Sequence, residues 1–186
     1  MQRRDLLRSA SALIALLLVP RQAEALGGTL PPLQQPAPDF QLGGVRPGIE
    51  GAAVDADLGL GDFTGRWLVL YFYPRDFTGG CTLEARGFQQ QLQAFRRAGA
   101  EIVGISADDA ESHASFCSSE GLAFPLLSDP GGTVSKRYGS WIPPFSQRHT
   151  FLIDPDGVLR ATWTAVRPSG HATEVLEELL RQQQLA

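Results

Sequence analysis

Two mostly apolar runs predict buried strands. Residues 68–73 are apolar without interruption, whereas residues 101–107 read Glu-Ile-Val-Gly-Ile-Ser-Ala. A continuous apolar run such as residues 68–73 is typical of a strand that is covered on both faces. Residues 83–98 carry apolar side chains at helical spacing, at Phe88, Leu92 and Phe95. Gly99 follows as a helix-stop signal, so the pattern predicts a strand, a helix and a second strand.

The rest of the chain continues this alternation. The pattern predicts helices over residues 108–120, 133–138 and 172–184, and strands over 124–127, 149–153 and 158–165. Ser169 is the predicted cap of the last helix, and Asp154-Pro155-Asp156-Gly157 predicts a hairpin between the last two strands. We interpret residues 38–42 as a short first strand, and residues 43–61 as a hairpin or irregular loop. The order predicts an α/β fold with a central mixed sheet flanked by helices on both faces.

The N-terminus has the pattern of an export signal. Arg3 and Arg4 precede residues 9–19, an uncharged and mostly apolar run of eleven residues that is too short to span a bilayer as a helix. Ala23-Glu24-Ala25 then offers small residues two apart, as at a signal cleavage site. We interpret residues 1–25 as an export signal of the twin-arginine type. The alternatives are an uncleaved anchor and a frayed N-terminus.

Composition favours one globular domain after that signal. The chain has 186 residues, of which 43% are apolar and 19% charged, enough for a substantial core. Removal of residues 1–25 takes four of the 16 basic and two of the 20 acidic residues, leaving 12 and 18. Residues 26–37 read as an extended Gly- and Pro-rich linker, and residues 38–186 as a single domain. No basic run remains in it, which argues against nucleic-acid binding. We expect a monomer with no membrane attachment.

The candidate chemistry lies where the first buried strand leads into the first helix. Residues 74–81 read Pro-Arg-Asp-Phe-Thr-Gly-Gly-Cys, which places Cys81 at the start of the helix. Free N–H groups and the helix dipole favour an anion there, and the thiolate is the reactive form of cysteine. However, an exported protein with two cysteines can also pair them in a structural disulfide. From the cysteine count alone, both interpretations stay open.

The spacing Pro74-x-x-x-Thr78-x-x-Cys81 resembles the active-site motif of the peroxiredoxins, thiol-dependent peroxidases with a thioredoxin-like fold. Residues 71–78 and 124–130 are similar to the bacterioferritin comigratory protein and peroxiredoxin Q group of that family. The resemblance extends over nearly all of the chain that follows the predicted signal.

The resemblance implies a role for each of five residues. Cys81 corresponds to the peroxidatic nucleophile, which peroxide oxidises to a sulfenic acid. Thr78 corresponds to the hydroxyl that binds thiolate and peroxide, and Pro74 to the residue that shields the cysteine from water. Arg148 begins a segment similar to the family's Arg-x-Thr-Phe-x-Ile-Asp strand and would stabilise negative charge at the thiol. Glu84 corresponds to an acid that orients this arginine. The alternative roles are a turn hydroxyl for Thr78, a strand terminator for Pro74, a surface charge for Arg148 and a first-turn acid for Glu84.

The sequence departs from the group at two positions. Many members carry a second cysteine five residues after the first, where this chain has Arg86. Gly79 stands where the group usually has proline, and glycine loosens the loop. Some members place the resolving cysteine in the following helix, which here contains Cys117. We therefore hypothesise a Cys81–Cys117 disulfide that requires local unwinding of the helices. The alternative is a buried Cys117, with resolution by an external thiol.

The resemblance implies reduction of hydrogen peroxide and organic hydroperoxides without a metal or other cofactor. A thioredoxin-like dithiol protein would supply the electrons. His113, His149 and His171 are scattered and lack metal-ligand spacing. Other interpretations are a thioredoxin-like disulfide oxidoreductase, which the lack of a Cys-x-x-Cys pair disfavours, and a non-enzymatic exported domain. The signal predicts the periplasm or a thylakoid lumen, or the cytoplasm if the signal is not used.

Overall fold

The protein is described by a computed structural model that covers residues 24–48 and 52–185. The predicted signal lies outside the described residues except for its last two positions. The strands are β1 (Glu24–Ala25), β2 (Gly28–Thr29), β3 (Gln41–Pro47), β4 (Ala53–Gly59), β5 (Trp67–Phe72), β6 (Ala100–Ser106), β7 (Leu126–Ser128), β8 (Trp141–Ile142), β9 (Phe145–Ser146), β10 (His149–Ile153) and β11 (Leu159–Trp163). The helices are α1 (Gly79–Arg97), α2 (Ala110–Glu120), α3 (Thr133–Arg137) and α4 (His171–Gln183), with a 3-10 turn at Leu60–Phe63.

The central sheet is mixed, as the sequence predicts. Its strand order is β11-β10-β5-β6-β7-β3-β4. β5, β6 and β7 are parallel, whereas β10, β11, β3 and β4 join the sheet by antiparallel pairing. β5 therefore lies between two strands of the sheet, and all six of its residues are buried.

Helices cover both faces of this sheet. Side chains alternate between the faces of a strand, so Val69 and Tyr71 pack with α1, α2 and α4, whereas Leu68 and Leu70 pack on the face that carries α3. This two-sided burial explains the unbroken apolar run in β5.

Four ends of three helices can be compared with the local sequence signals. Asp109 caps α2 by accepting a 2.9 Å hydrogen bond from Ser112 N–H, and Gly121 ends it with a left-handed backbone (φ 62°), which agrees with the helix predicted over residues 108–120. α1 begins at Gly79, earlier than predicted, because Thr78 is the last extended residue (φ −85°, ψ 144°). The residue that caps α4 is Gly170 (φ 80°), so the prediction of a Ser169 cap is wrong.

The N-terminal part of the domain also differs in detail from the prediction. The first long strand is β3 rather than residues 38–42, and it forms a hairpin with β4. Residues 26–37 do not form a fully extended linker: they contain β2 and a turn with a left-handed backbone at Gln34 (φ 63°), and they lie against the domain. Gln34 N–H donates to the Leu159 carbonyl oxygen at 2.8 Å, and Leu159 N–H donates to that of Gln35 at 2.9 Å. Within the described ranges no helix has the length and apolarity needed to cross a bilayer.

Candidate active site

Cys81 is the third residue of α1, directly after the loop that leaves the carboxyl end of β5. Its side chain is only 2% exposed. The N–H groups of a first helical turn have no partner within the helix, so the sulfur lies in a region that favours negative charge. The structure thus confirms that Cys81 lies at the predicted strand-to-helix turn.

Arg148 reaches Cys81 from the opposite direction. It directly precedes β10, whose first residue, His149, pairs with Phe72 at the end of β5. This register brings Arg148 level with the loop that follows β5. Its Nη2 donates to Cys81 Sγ at 3.3 Å, and its Nη1 donates to Glu84 Oε2 at 2.5 Å. Two residues that are 67 positions apart in the chain are therefore in direct contact.

Glu84 holds the guanidinium from within α1. It lies one helical turn after Cys81 and is 1% exposed. Burial raises its pKa from 4.5 to about 7, although the charge and hydrogen bond of Arg148 oppose this rise. Its second oxygen, Oε1, has no hydrogen-bond partner among the described residues. Burial lowers the pKa of Arg148, but the charges of Glu84 and Cys81 and the hydrogen bonds to them raise it by more, so that the pKa is raised overall.

Gly80 also belongs to the site, although its sequence context predicts no role for it. A Cβ at this position would lie 3.1 Å from Arg148 Nη2 and 3.7 Å from the Pro168 ring. The absence of a side chain therefore leaves room for the nitrogen that donates to Cys81. The sequence signal was the second glycine of the pair before the cysteine.

Thr78 and Pro74 occupy the loop but do not contact the sulfur through a hydrogen bond in this conformation. The Thr78 hydroxyl is exposed and donates to the Arg75 carbonyl oxygen at 3.0 Å, which is the turn contact considered as an alternative. Pro74 is half-buried and follows Tyr73, whose N–H donates to Ile105 O at 3.0 Å. The predicted catalytic roles of both residues stay predictions.

Cys117 lies on α2 and is 6% exposed. It packs in the same apolar cluster as Cys81, and both cysteines are free thiols. Burial, with a further contribution from the Asp76 carboxylate, raises the pKa of Cys117 to about 12. Cys117 is therefore protonated at neutral pH while α2 is intact.

The three histidines contact residues other than Cys81. His171 lies 2.8 Å from Thr150 Oγ1, and burial lowers the pKa of both His171 and His149. His113 is fully buried beside Asp76. In residues 24–48 and 52–185, no three His, Cys, Asp or Glu side chains form a group that could hold a metal ion.

A buried cysteine at a helix start, with a fixed guanidinium on its sulfur, defines a thiol-based redox site on a thioredoxin-like fold. Residues 33–162 match the AhpC/TSA family. Over 153 residues the chain is 40% identical to the putative peroxiredoxin bcp of Coxiella burnetii, covering 78% of this chain and 96% of that protein. It is 40% identical to the chloroplastic peroxiredoxin Q of Sedum lineare, with 64% and 67% coverage. The solved structure of Xanthomonas campestris peroxiredoxin Q superposes with a TM-score of 0.69 at 35% identity, covering 76% of this chain and 90% of that one.

The chain therefore belongs to the AhpC/TSA family and is a peroxiredoxin, a thiol-dependent peroxidase.

Proposed function

We propose that the protein reduces hydrogen peroxide and organic hydroperoxides through Cys81, with Cys117 as the resolving thiol and a thioredoxin-like protein as the reductant. The observation that carries this proposal is the bridging position of Arg148. One of its nitrogens donates to the Cys81 sulfur at 3.3 Å while another is held by the buried Glu84. A fixed positive charge at the sulfur can stabilise the negative charge that moves from the sulfur to the leaving oxygen during attack on peroxide.

In the first step, the Cys81 thiolate attacks one oxygen of the peroxide. A sulfur–oxygen bond forms and the oxygen–oxygen bond breaks, so that sulfur is oxidised by two electrons and the peroxide is reduced by two. The leaving hydroxide or alkoxide takes a proton and departs as water or an alcohol, and Cys81 becomes a sulfenic acid. Arg148 stabilises the charge on the leaving oxygen, since preorganised donors act most strongly on charge that develops in a dry site. Thr78 is proposed to turn its hydroxyl from Arg75 to the peroxide, and Pro74 to exclude water.

In the second step, the sulfur of Cys117 attacks the sulfenic acid of Cys81. The sulfur–sulfur bond forms, the sulfur–oxygen bond breaks, and the Cys117 proton leaves with the oxygen as water. The pKa of about 12 makes Cys117 a poor nucleophile where it lies, because the thiolate is the attacking species. Opening of α2 would remove the burial that raises this pKa. A dithiol protein then reduces the disulfide by thiol exchange.

The peroxidase chemistry is tested by comparing the wild type with Cys81→Ser and Cys117→Ser. Wild type should consume peroxide with thioredoxin, thioredoxin reductase and NADPH, and Cys81→Ser should not. Cys117→Ser should form the sulfenic acid at the wild-type rate but fail to turn over with thioredoxin. Equal peroxide consumption by wild type and Cys81→Ser would contradict the assignment of the nucleophile.

The pairing of the two cysteines needs a separate measurement. Non-reducing mass spectrometry after one equivalent of peroxide should show a peptide that links Cys81 to Cys117. A stable sulfenic acid without this link would assign resolution to an external thiol and leave the role of Cys81 intact.

We also propose that residues 1–25 direct export and are removed. The support is the order of arginine pair, apolar run and small-residue site in the sequence. Expression in a bacterium with a twin-arginine translocase should give periplasmic protein that begins at Leu26. Replacement of Arg3 and Arg4 by lysine should keep it in the cytoplasm, and periplasmic protein from that variant would point to another route.

A further inference from the structure

A buried polar network joins the loop before Cys81 to helix α2. Asp76 is 3% exposed and His113 on α2 is fully buried. The Asp76 Oδ2 atom lies 2.9 Å from His113 Nδ1 and accepts a 2.8 Å hydrogen bond from the Ser112 hydroxyl. The Oδ1 atom accepts from the Tyr73 hydroxyl at 2.8 Å. Both oxygens of this buried carboxylate are thus bonded, and two of their three side-chain partners stand on α2.

His113 also connects the Asp76 carboxylate to the central sheet. The second ring nitrogen of His113, Nε2, lies 3.2 Å from the carbonyl oxygen of Leu127 in β7. Each ring nitrogen therefore faces an oxygen of another residue. Removal of the imidazole would leave buried oxygens of Asp76 and Leu127 short of a partner, which is unfavourable.

A second contact attaches the same loop to the same helix. Phe77 packs edge-on against Phe116 of α2, with ring centroids 5.1 Å apart. Phe77 has a left-handed backbone (φ 57°) and remains 54% exposed. A bulky residue rarely adopts this conformation, so surrounding contacts must hold it. The Asp76 main-chain N–H also donates to Asp108 Oδ2 at 2.9 Å, just before α2.

These attachments lie next to Cys117 on the helix. His113 is four residues before Cys117, so both side chains lie on the same face of α2, and Phe116 is its neighbour. All three are buried. Exposure of Cys117 requires α2 to leave its place against the sheet, and that movement breaks the contacts of His113 and Phe116 with the loop.

We propose that the Asp76–His113 pair and the Phe77–Phe116 contact form a latch that sets the rate at which Cys117 can reach oxidised Cys81. His113 is then a positioning residue for disulfide formation, with no part in the attack on peroxide. The latch holds the Cys81 loop and α2 closed during the peroxide step, and its opening precedes disulfide formation. This inference rests on the proposed role of Cys117.

Two substitutions at His113 separate the latch from general stability. The amide nitrogen of asparagine reaches the position of Nδ1, so His113→Asn keeps a donor to Asp76 and loses the bond to Leu127. The amide nitrogen of glutamine reaches the position of Nε2, so His113→Gln keeps the bond to Leu127 and loses the donor to Asp76. The two variants remove one hydrogen bond each from the same buried site, and only His113→Gln weakens the latch.

The test follows both chemical steps in one stopped-flow experiment with peroxide in excess. Sulfenic acid formation should proceed at the wild-type rate in both variants. Disulfide formation should be about tenfold faster in His113→Gln, the upper end of the effect expected for loss of one hydrogen bond, and within about threefold of wild type in His113→Asn. Hydrogen exchange of the reduced proteins should show the same order, with faster exchange of the amides around Cys117 in His113→Gln alone.

The possible results are distinguishable. Equal acceleration in both variants would reduce the effect to lost stability and overturn the latch, as would an unchanged rate in His113→Gln. Absence of a Cys81–Cys117 disulfide in the wild type would overturn both the latch and the resolving role of Cys117. Peroxide consumption through Cys81 would still stand in that case, so failure of the latch does not imply failure of the peroxidase.

Discussion

Replacement of Glu84 by glutamine should make the protein more stable at pH 8 and slower with peroxide. Glu84 is 1% exposed, and among the described residues only one of its oxygens has a hydrogen-bond partner, Arg148. Glutamine has the same shape and can still accept from the guanidinium through its carbonyl oxygen, but it carries no charge. The substitution therefore removes the cost of a buried carboxylate while leaving the packing of α1 unchanged.

The size of the expected stability gain follows from the pKa of Glu84, which burial raises from 4.5 to about 7. The folded protein then holds the proton more tightly than the unfolded chain. This contribution to stability is fully present below pH 4.5 and is lost as the pH rises to about 7. The gap between the two pKa values corresponds to about 3 kcal/mol of folding free energy. The Glu84→Gln variant does not lose this contribution.

The assay is urea unfolding of the reduced proteins at pH 4, 6 and 8. The two proteins should be equally stable at pH 4, where Glu84 is protonated, and the variant should gain progressively, to about 3 kcal/mol at pH 8. Glu178→Gln is the control, because hydrogen bonding to Arg181 lowers the pKa of Glu178. That carboxylate stabilises the fold above its unfolded pKa, so the control should be the less stable protein at pH 8. A Glu84→Gln variant that is less stable than wild type at pH 8 would refute the reasoning.

The Glu84→Gln variant should also react more slowly with peroxide, which would explain why a destabilising buried carboxylate is present. An ionised Glu84 holds Arg148 through a charge-assisted bond, which is roughly twice as strong as a neutral one. With glutamine, the guanidinium is less firmly fixed on the sulfur. We expect the second-order rate constant for peroxide to fall about tenfold at pH 8, measured by stopped-flow fluorescence. A gain in stability with a loss of activity is the usual pattern for a functional site.

Three further predictions concern the first turn of α1 and Cys117. Gly80→Ala should lower the rate constant for reaction with peroxide about tenfold without unfolding the protein. The reason is that its Cβ would lie 3.1 Å from the Arg148 nitrogen that binds Cys81. An unchanged rate constant would contradict this. Gly79→Pro should stabilise the protein by about 0.4–1 kcal/mol in urea unfolding. No atom lies within 4 Å of a Cβ at this position, and the preceding residue has the extended backbone that proline requires. A loss of stability would mean that the Gly79 N–H is needed. In a Cys81→Ser background at pH 8, Cys117 of the folded protein should react with iodoacetamide about a thousandfold more slowly than Cys117 of the urea-unfolded protein. The reason is that burial raises its pKa from 9.0 to about 12. Equal rates would show that Cys117 is already exposed in the folded protein.

The cluster around Cys81 was accessible from the sequence because its members follow local or motif spacing. Cys81 and Glu84 are one helical turn apart, and Arg148 directly precedes an apolar strand that resembles a family motif. The structure brings these three side chains into contact. The direction of the Thr78 hydroxyl could not be predicted, because rotation of the side chain alone decides between the sulfur and the Arg75 carbonyl.

Other features depend on contacts that leave no local pattern. His113 and Asp76 are 37 residues apart, and a single buried histidine in a helix has the same sequence signature as one on the surface. The position of residues 26–37 also leaves no sequence pattern, because their hydrogen bonds to Leu159 and Gly157 are made by the backbone. A Gly- and Pro-rich composition predicts an extended chain but does not reveal whether the chain lies against the domain.

The two sides of Cys81 are attached to different parts of the fold, and this separation has a measurable consequence. Arg148 approaches from β10 and is held by Glu84 within α1, whereas the loop before Cys81 is bonded to α2 through His113. The peroxide step requires the first set of contacts to persist, and disulfide formation requires the second set to break. Effects at sites that share no partners are additive to within about 0.5 kcal/mol. The double variant Gly80→Ala, His113→Gln should therefore combine the slow peroxide step of one parent with the fast disulfide step of the other. A peroxide step that depends on the residue at position 113 would show that the two sets of contacts form one unit.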